Sequence, residues 1–362
     1  MEQTRDISVS GRNRPRPVLM IPLRRCGSHA LRLRLNMNPG FYAPYPLHIV
    51  DFMPLVELYG DLGDDETYFQ LIVDVIGLQT VSMVKWPDVV FDPVEVFKAI
   101  KHEPRSVHRI VWELLFQAGE KHGAKVVMDK SLDSVHYADE LMQLFDDLLF
   151  LNVLRDPRAQ VNSMNKAIIH DFDTLLNAMT WVKAYEAGSR LAEKYPDRVL
   201  TIRYEDFVSN QEAVLGNICL FFGIEFRQEM LDIARSEEAE RISGMSALWE
   251  SNKFPPIPAN VDKFKKTLSM QEIEIIETLT GGFMDRYGYE RMTKGKAKIA
   301  PALIAAARKQ SEANRKKAWA ELEKKDYQDF VLRNFRADYL SSVRERLMKK
   351  KNSRARRQAT AA

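Results

Sequence analysis

The chain has 362 residues, 45% of them hydrophobic and 28% charged, the balance of a globular protein with one large domain or two ordinary ones. It has no run of about 18 apolar residues, no apolar stretch in its basic first residues and only two cysteines, Cys26 and Cys219, so a membrane span, a secretory leader and a disulfide framework are not expected and a reducing cytoplasm is. The net charge of +3 conceals an asymmetry, because residues 291–362 carry 21 Lys and Arg against 7 Asp and Glu, a net of +14, which leaves −11 on residues 1–290.

Residues 1–17, rich in arginine with prolines and little to bury, read as a flexible arm. Residues 18–21 are an unbroken apolar run, the pattern of a buried strand. A turn containing Gly27 follows. Residues 29–36 then read as a helix, with Leu31 and Leu35 at i, i+4 and Asn38, Pro39 and Gly40 as stop signals. The stretch 41–123 is mostly helical and less regular. Its aromatic, proline-rich start, 41–46, reads as a loop suited to be a substrate lid. Strands are expected at 125–128, 148–154 and 198–202, and helices at 135–145, 175–194 and 211–222, the last ended by Gly223. Asp156 and Pro157 form a helix start, with Asp as N-cap and Pro at the first helical position. The alternation predicts an α/β fold, a mainly parallel sheet flanked by helices.

From about residue 300 to 351 the chain is rich in Ala, Lys, Arg and Glu, with no glycine and no proline after Pro301. That composition favours one or two long helices. Leu303, Trp319, Leu340, Val343 and Leu347 give them a patchy apolar face, and the charged residues beyond 349 are expected to lack order. The organisation expected is an arm over 1–17, an α/β body over 18–292 and a basic helical extension over 293–362. Charge favours docking of the extension on the acidic body or on a second copy, a homo-oligomer through the C-terminal helices. Contact with an anionic membrane or nucleic acid is the rival reading.

The first turn carries the first chemical signal. Arg25, Cys26, Gly27 and Ser28 join a buried strand to a helix start, where free N–H groups and the helix dipole favour an anion. Gly27 allows close backbone approach, Arg25 supplies charge and Ser28 a hydroxyl. The Gly-Lys-Ser/Thr of a Walker loop is absent. The second signal is Arg155, placed at the carboxyl end of a buried strand, where open α/β sheets bind ligands. Ser163 follows on the next helix.

Together these segments resemble the sulfotransferases that use 3′-phosphoadenosine 5′-phosphosulfate (PAPS). The early loop is similar to the family's phosphosulfate loop. Arg155-Asp156-Pro157-Arg158 through Ser163 is similar to its 3′-phosphate segment. Lys130-Ser131, Arg203-Tyr204-Glu205-Asp206-Phe207 and the stretch 261–289 match further family segments in order. The resemblance spans roughly 18–290 and implies a P-loop-like sulfotransferase fold over the body. It further implies that Arg25, Cys26, Gly27, Ser28 and His29 surround the phosphosulfate. Arg155 and Ser163 would bind the 3′-phosphate, and Tyr204 the adenine. Lys130 and Arg25 would assist catalysis. The reaction implied moves a sulfuryl group to a hydroxyl or amine of a small molecule or glycan, with no metal. Two departures stand out: Cys26 replaces a hydroxyl residue, and Leu132 stands where some members carry a histidine base. His48 is the first candidate for that base, because neutral imidazole accepts protons near pH 7, with Asp51 and Glu57 next and His136 weaker. Phe41, Tyr42 and Tyr45 could stack on an acceptor. The competing readings are a P-loop-like nucleotide kinase and an inactive nucleotide-binding module tethered by the basic tail.

Overall fold

The computed structural model describes residues 14–361, with side chains through residue 353. Strands β1 (Arg16–Ile21), β2 (Phe41–Tyr42), β3 (Val126–Asp129), β4 (Leu149–Leu154) and β5 (Val199–Arg203) pair in one parallel sheet. Their order is β2-β3-β1-β4-β5, with Val18 in register with both Met128 and Leu149. The helices that build the core and the site are α1 (Ser28–Leu35), α2 (Asp65–Thr80), α3 (Val107–Lys121), α4 (Pro157–Met164), α5 (Thr174–Lys194), α6 (Gln211–Phe222), α7 (Met270–Tyr287), α8 (Pro301–Lys325) and α9 (Tyr327–Ala361).

Alternate residues of β1 feed two separate apolar clusters. Leu19 and Ile21 join the cluster made by α2 and α3. Val18 and Met20 join the one made by α1 and α6. That is the period-2 signature of a strand covered on both faces, and it explains the unbroken apolar run. Asp156 caps α4 by accepting a hydrogen bond from Arg158 N at 2.8 Å, with Pro157 next in line.

Three expectations need correction. Residues 41–46 are not a lid. Phe41 and Tyr42 form the edge strand β2, and this stretch is buried throughout. Tyr42 stacks on His122 at 4.3 Å and Phe41 on Phe222 at 5.9 Å, so these two aromatics serve the core. The helix expected at 135–145 begins as a 3₁₀ turn, Leu132–Tyr137, and becomes α-helical only over Ala138–Leu144. The charged end also differs: α9 continues through Lys349, Lys350 and Lys351 to Ala361. Lysine and arginine are good helix formers, and a helix already docked upstream has no nucleation cost left to meet. Of the arm expected at 1–17, residues 1–13 lie outside the described residues. Beyond them Arg14 pairs with Asp147 at 3.1 Å and lies over Phe116 and Phe145, and Arg16 opens β1.

The C-terminal helices are packed on the body. Ser311 on α8 bonds Asp171 and Phe172 N, both at 3.0 Å. On α9, Asp329 accepts from Ser246 at 2.8 Å, Tyr339 donates to Asp74 O at 2.7 Å, and Arg346 pairs with Asp74 at 2.5 Å. Gly77 on α2 permits this approach, since a Cβ there would sit 2.1 Å from the Tyr339 hydroxyl. Val343 and Leu347 are buried in the same cluster as the sheet. Leu347→Ala is therefore expected to destabilise the protein by about 2–3 kcal/mol. Urea unfolding measures it, and a change within experimental error would mean an undocked helix.

Candidate active site

Parallel strands end their hydrogen bonding together, and the loops beyond those ends form a crevice. Here β1 leads into residues 22–27, β3 directly into Lys130, β4 into Arg155 and β5 into Tyr204. They open onto a cavity of about 540 Å³, within the range of roughly 300–1,000 Å³ usual for ligand sites. The structure brings Arg25, Gly27, Ser28, His29, His48, Lys130, Arg155, Ser163 and Tyr204 to its walls.

The loop is held by its own cations. Arg155 Nη1 donates to Arg25 O at 2.7 Å, and Arg25 Nε donates to Ser163 Oγ at 3.1 Å. Arg25 and Ser163, expected at opposite ends of a nucleotide, thus touch in this state. The Arg155 guanidinium lies 4.7 Å from the centre of the Tyr204 ring. Tyr204 in turn presses on Gly27, where a Cβ would meet the ring at 2.2 Å and the backbone has φ +92°. Only glycine fits both conditions.

Cys26 departs from expectation. Its side chain is fully buried in the α1/α6 cluster rather than facing the cavity. Burial pushes the thiol up to about 11, so it behaves as a small apolar residue. Only its backbone is left to meet an anion. Among the other candidates, Glu57 and His136 are exposed and line no part of the cavity. Asp51 does line it but is paired with Arg336 at 3.1 Å. Tyr45 lines it too, stacked on His29 at 5.8 Å and edge-on to His48 at 5.9 Å.

Electrostatics define the site. Arg24 is paired with Asp133 at 2.7 Å. Arg25, Lys130 and Arg155 have no carboxylate within ion-pair distance among the described residues. Burial, then Arg155, lowers Arg25 to about 10, which leaves it charged. Burial, then Arg32, brings Lys130 down to about 7. His29 and His48 are held well below the usual histidine range, by burial first and by Lys130 or Arg24 next. Both imidazoles are neutral at pH 7. Arg155 Nε and His29 Nδ1 are buried without a hydrogen-bond partner. The orphaned Arg155 donor and the unpaired cations around the cavity are what a multiply charged anion would satisfy.

Arg158, the last residue of the matched segment, has a different task. It pairs with Asp156 and with the fully buried Glu277, each at 2.7 Å. Glu277 also accepts from Met292 N at 2.9 Å and Thr293 N at 2.7 Å. This network ties α4, α7 and the chain leading to α8 together behind the cavity.

Sequence reasoning missed the wall supplied from far along the chain. Trp249, Phe254, Ile257, Trp319, Arg333 and Arg336 all line the cavity. A signal existed in α9: Arg333, Arg336, Ala337 and Leu340 stand at i, i+3, i+4 and i+7, one helical face.

A glycine loop on a parallel sheet, with Arg25, Lys130 and Arg155 around it, defines an α/β protein that presents positive charge to a cavity at its strand ends. The chain belongs to the sulfotransferase family: the model of the Sulfotransferase family matches residues 17–228, more than half of it. Similar curated proteins are the omega-hydroxy-beta-dihydromenaquinone-9 sulfotransferases Stf3 of Mycobacterium bovis and Mycobacterium tuberculosis. Each is 25% identical over 214 residues, which is 55% of this chain and 49% of the relative. The match thus spans about half the length of these relatives. Among solved structures, the sulfotransferase domain of the Synechococcus PCC 7002 olefin synthase is similar, with TM-score 0.50 and 23% identity over 75% of this chain and 97% of that one. The sulfotransferase domain of the curacin biosynthetic pathway gives TM-score 0.52 and 17% identity over 76% and 98%. These two share the fold. Among the described residues no helix is long and apolar enough to cross a membrane, and no group of three or more His, Cys, Asp or Glu is placed to hold a metal.

Lys130 gives the site a measurable signature. With the cavity free it is mostly neutral at pH 8, because its ammonium is buried among other cations. A bound polyanion favours the ammonium and raises its pKa. Binding of adenosine 3′,5′-bisphosphate at pH 8 is expected to take up close to one proton, and affinity is expected to fall as pH rises beyond about 7. His29 and His48, held far lower, stay neutral at that pH. Calorimetry in buffers of different ionisation enthalpy measures the uptake, which Lys130→Met should abolish.

Proposed function

We propose that this chain transfers a sulfuryl group from PAPS to an acceptor hydroxyl or amine on a small molecule or glycan. The observation that carries the reading is the convergence of Arg25, Lys130 and Arg155, all without carboxylate partners, on the loop of Gly27 and Ser28. Family membership supports the chemistry. A nucleotide kinase is not favoured, since Gly27 stands where a Walker lysine would precede Ser28. The buried free thiols Cys26 and Cys219 suit a reducing cytoplasm.

PAPS, when bound, supplies the activated sulfuryl group. Arg25, Ser28, the loop N–H groups and Lys130 would hold its phosphosulfate, and Arg155 with Ser163 its 3′-phosphate. Tyr204, held between Arg155 and Gly27 at the cavity wall, would contact the adenine. Lys130 regains its proton as the anion enters, so its ammonium adds to the charge of Arg25 at the same place. His48, neutral and half-buried, takes the proton from the acceptor on an imidazole nitrogen. Nearby anionic charge raises its basicity, which suits that role.

Arg155→Ala is expected to weaken adenosine 3′,5′-bisphosphate binding by about 2–3 kcal/mol, near a hundredfold, with circular dichroism unchanged. Equal affinity by calorimetry would remove Arg155 from the site. Incubating the protein with labelled PAPS and a cell metabolite extract tests the reaction itself. Binding without any labelled product would favour an inactive module.

His48 has φ +50°, a left-handed conformation that asparagine tolerates best among side-chain-bearing residues. His48→Asn is therefore the variant to compare. It is expected to lower kcat by roughly 10²–10⁴ while bisphosphate affinity is retained. Unchanged turnover would reassign the base.

A further inference from the structure

Much of the cavity wall beyond the cradle comes from residues 248–260 and from α8 and α9, all outside the family match. Arg315 and Trp319 stand one turn apart on α8. On α9, Arg333, Arg336, Ala337 and Leu340 share a face. Three cations in this wall look as if they extend the anion site, but each is already engaged. Arg315 pairs with Asp171 at 3.3 Å, Arg333 with Asp329 at 2.8 Å and Arg336 with Asp51 at 3.1 Å. What the wall offers a ligand is mainly apolar, Trp249, Phe254, Ile257, Trp319 and Leu340, with Ser251, Asn252 and Asn260 as its neutral polar groups. Phe254 is 53% exposed and Ile257 57%, which is costly for large apolar groups unless something covers them.

The wall adjoins the proposed base. Trp249 lies edge-on to Tyr45 at 5.4 Å, and Tyr45 edge-on to His48 at 5.9 Å. Arg336 donates to Leu47 O at 2.9 Å and His48 O at 3.2 Å, holding the His48 backbone in its left-handed turn.

Resting on the sulfotransferase reading, we infer that the acceptor is a neutral alcohol carried on an apolar body, seated against the wall built by α8, α9 and residues 248–260. An ammonium acceptor would find no free carboxylate, because Asp51 is the only one lining the cavity among the described residues and Arg336 holds it. An anionic acceptor gains nothing from arginines already paired. A sugar has no apolar body to cover Phe254 and Ile257 and would leave that surface in water. The hydroxyl enters toward His48, which removes its proton as the new oxygen–sulfur bond forms and the sulfur–phosphate oxygen bond breaks.

Matched probes test this: 1-octanol, octylamine, octanoate and glucose, titrated by calorimetry into protein saturated with adenosine 3′,5′-bisphosphate. Octanol is expected to bind at least tenfold tighter than the other three. Trp319→Ala should weaken octanol at least fivefold and leave bisphosphate affinity unchanged. Ile257→Ser should do the same, and because Ile257 is exposed that variant folds even where the tryptophan variant fails. Octylamine, octanoate or glucose binding as tightly as octanol would overturn the inference, as would octanol binding indifferent to both substitutions. If bisphosphate does not bind, the sulfotransferase reading fails instead; octanol titrated alone then still reports on the wall.

Discussion

Arg25, Lys130 and Arg155 stand around one cavity with no carboxylate of the described residues in ion-pair contact, and like charges withdrawn from water repel strongly. Everything near them reduces that repulsion or holds against it. Lys130 gives up its proton easily, with its pKa near 7. Arg155 spends one donor on the Arg25 carbonyl, and Arg25 spends one on Ser163. The Tyr204 ring accepts the guanidinium face and leans on Gly27. A site strained in this way is preorganised for an anion, because most of the ordering is complete before the ligand arrives.

Such a cradle needs a stiff mount. The sheet supplies it, since each cradle residue lies at or just past a strand end whose backbone is fixed by parallel pairing on a buried strand. Arg158 shows why adjacent charges differ in role. Three residues beyond Arg155, it is buried against two carboxylates and serves to lock helices together. Removing one partner of such a network leaves a buried charge unmet, the costly case.

Much of this was legible in the sequence because it is local. The runs 18–21 and 148–154, the glycine turn and the Asp156-Pro157 start depend on neighbours a few residues away. The failures were tertiary. Residues 41–46 look like a loop by composition, yet Phe41 and Tyr42 add an edge to the sheet because β3 offers them a partner 85 residues later. Cys26 looks like a ligand by position in its motif, while the backbone turn aims it into the core. The lysine- and arginine-rich extension looks like a solvated charge run. Arg315, Arg346 and Arg336 pair with Asp171, Asp74 and Asp51, 144, 272 and 285 positions away, which no local pattern reveals.

The hydrogen bond from Arg336 to the His48 carbonyl closes a separation of 288 positions. Contacts that distant form late, after shorter loops have closed. On a ribosome, the strands and turns that carry Arg25, Lys130 and Arg155 emerge well before α9. The part of the cavity wall that α8 and α9 supply is therefore completed after the strand-end loops it faces.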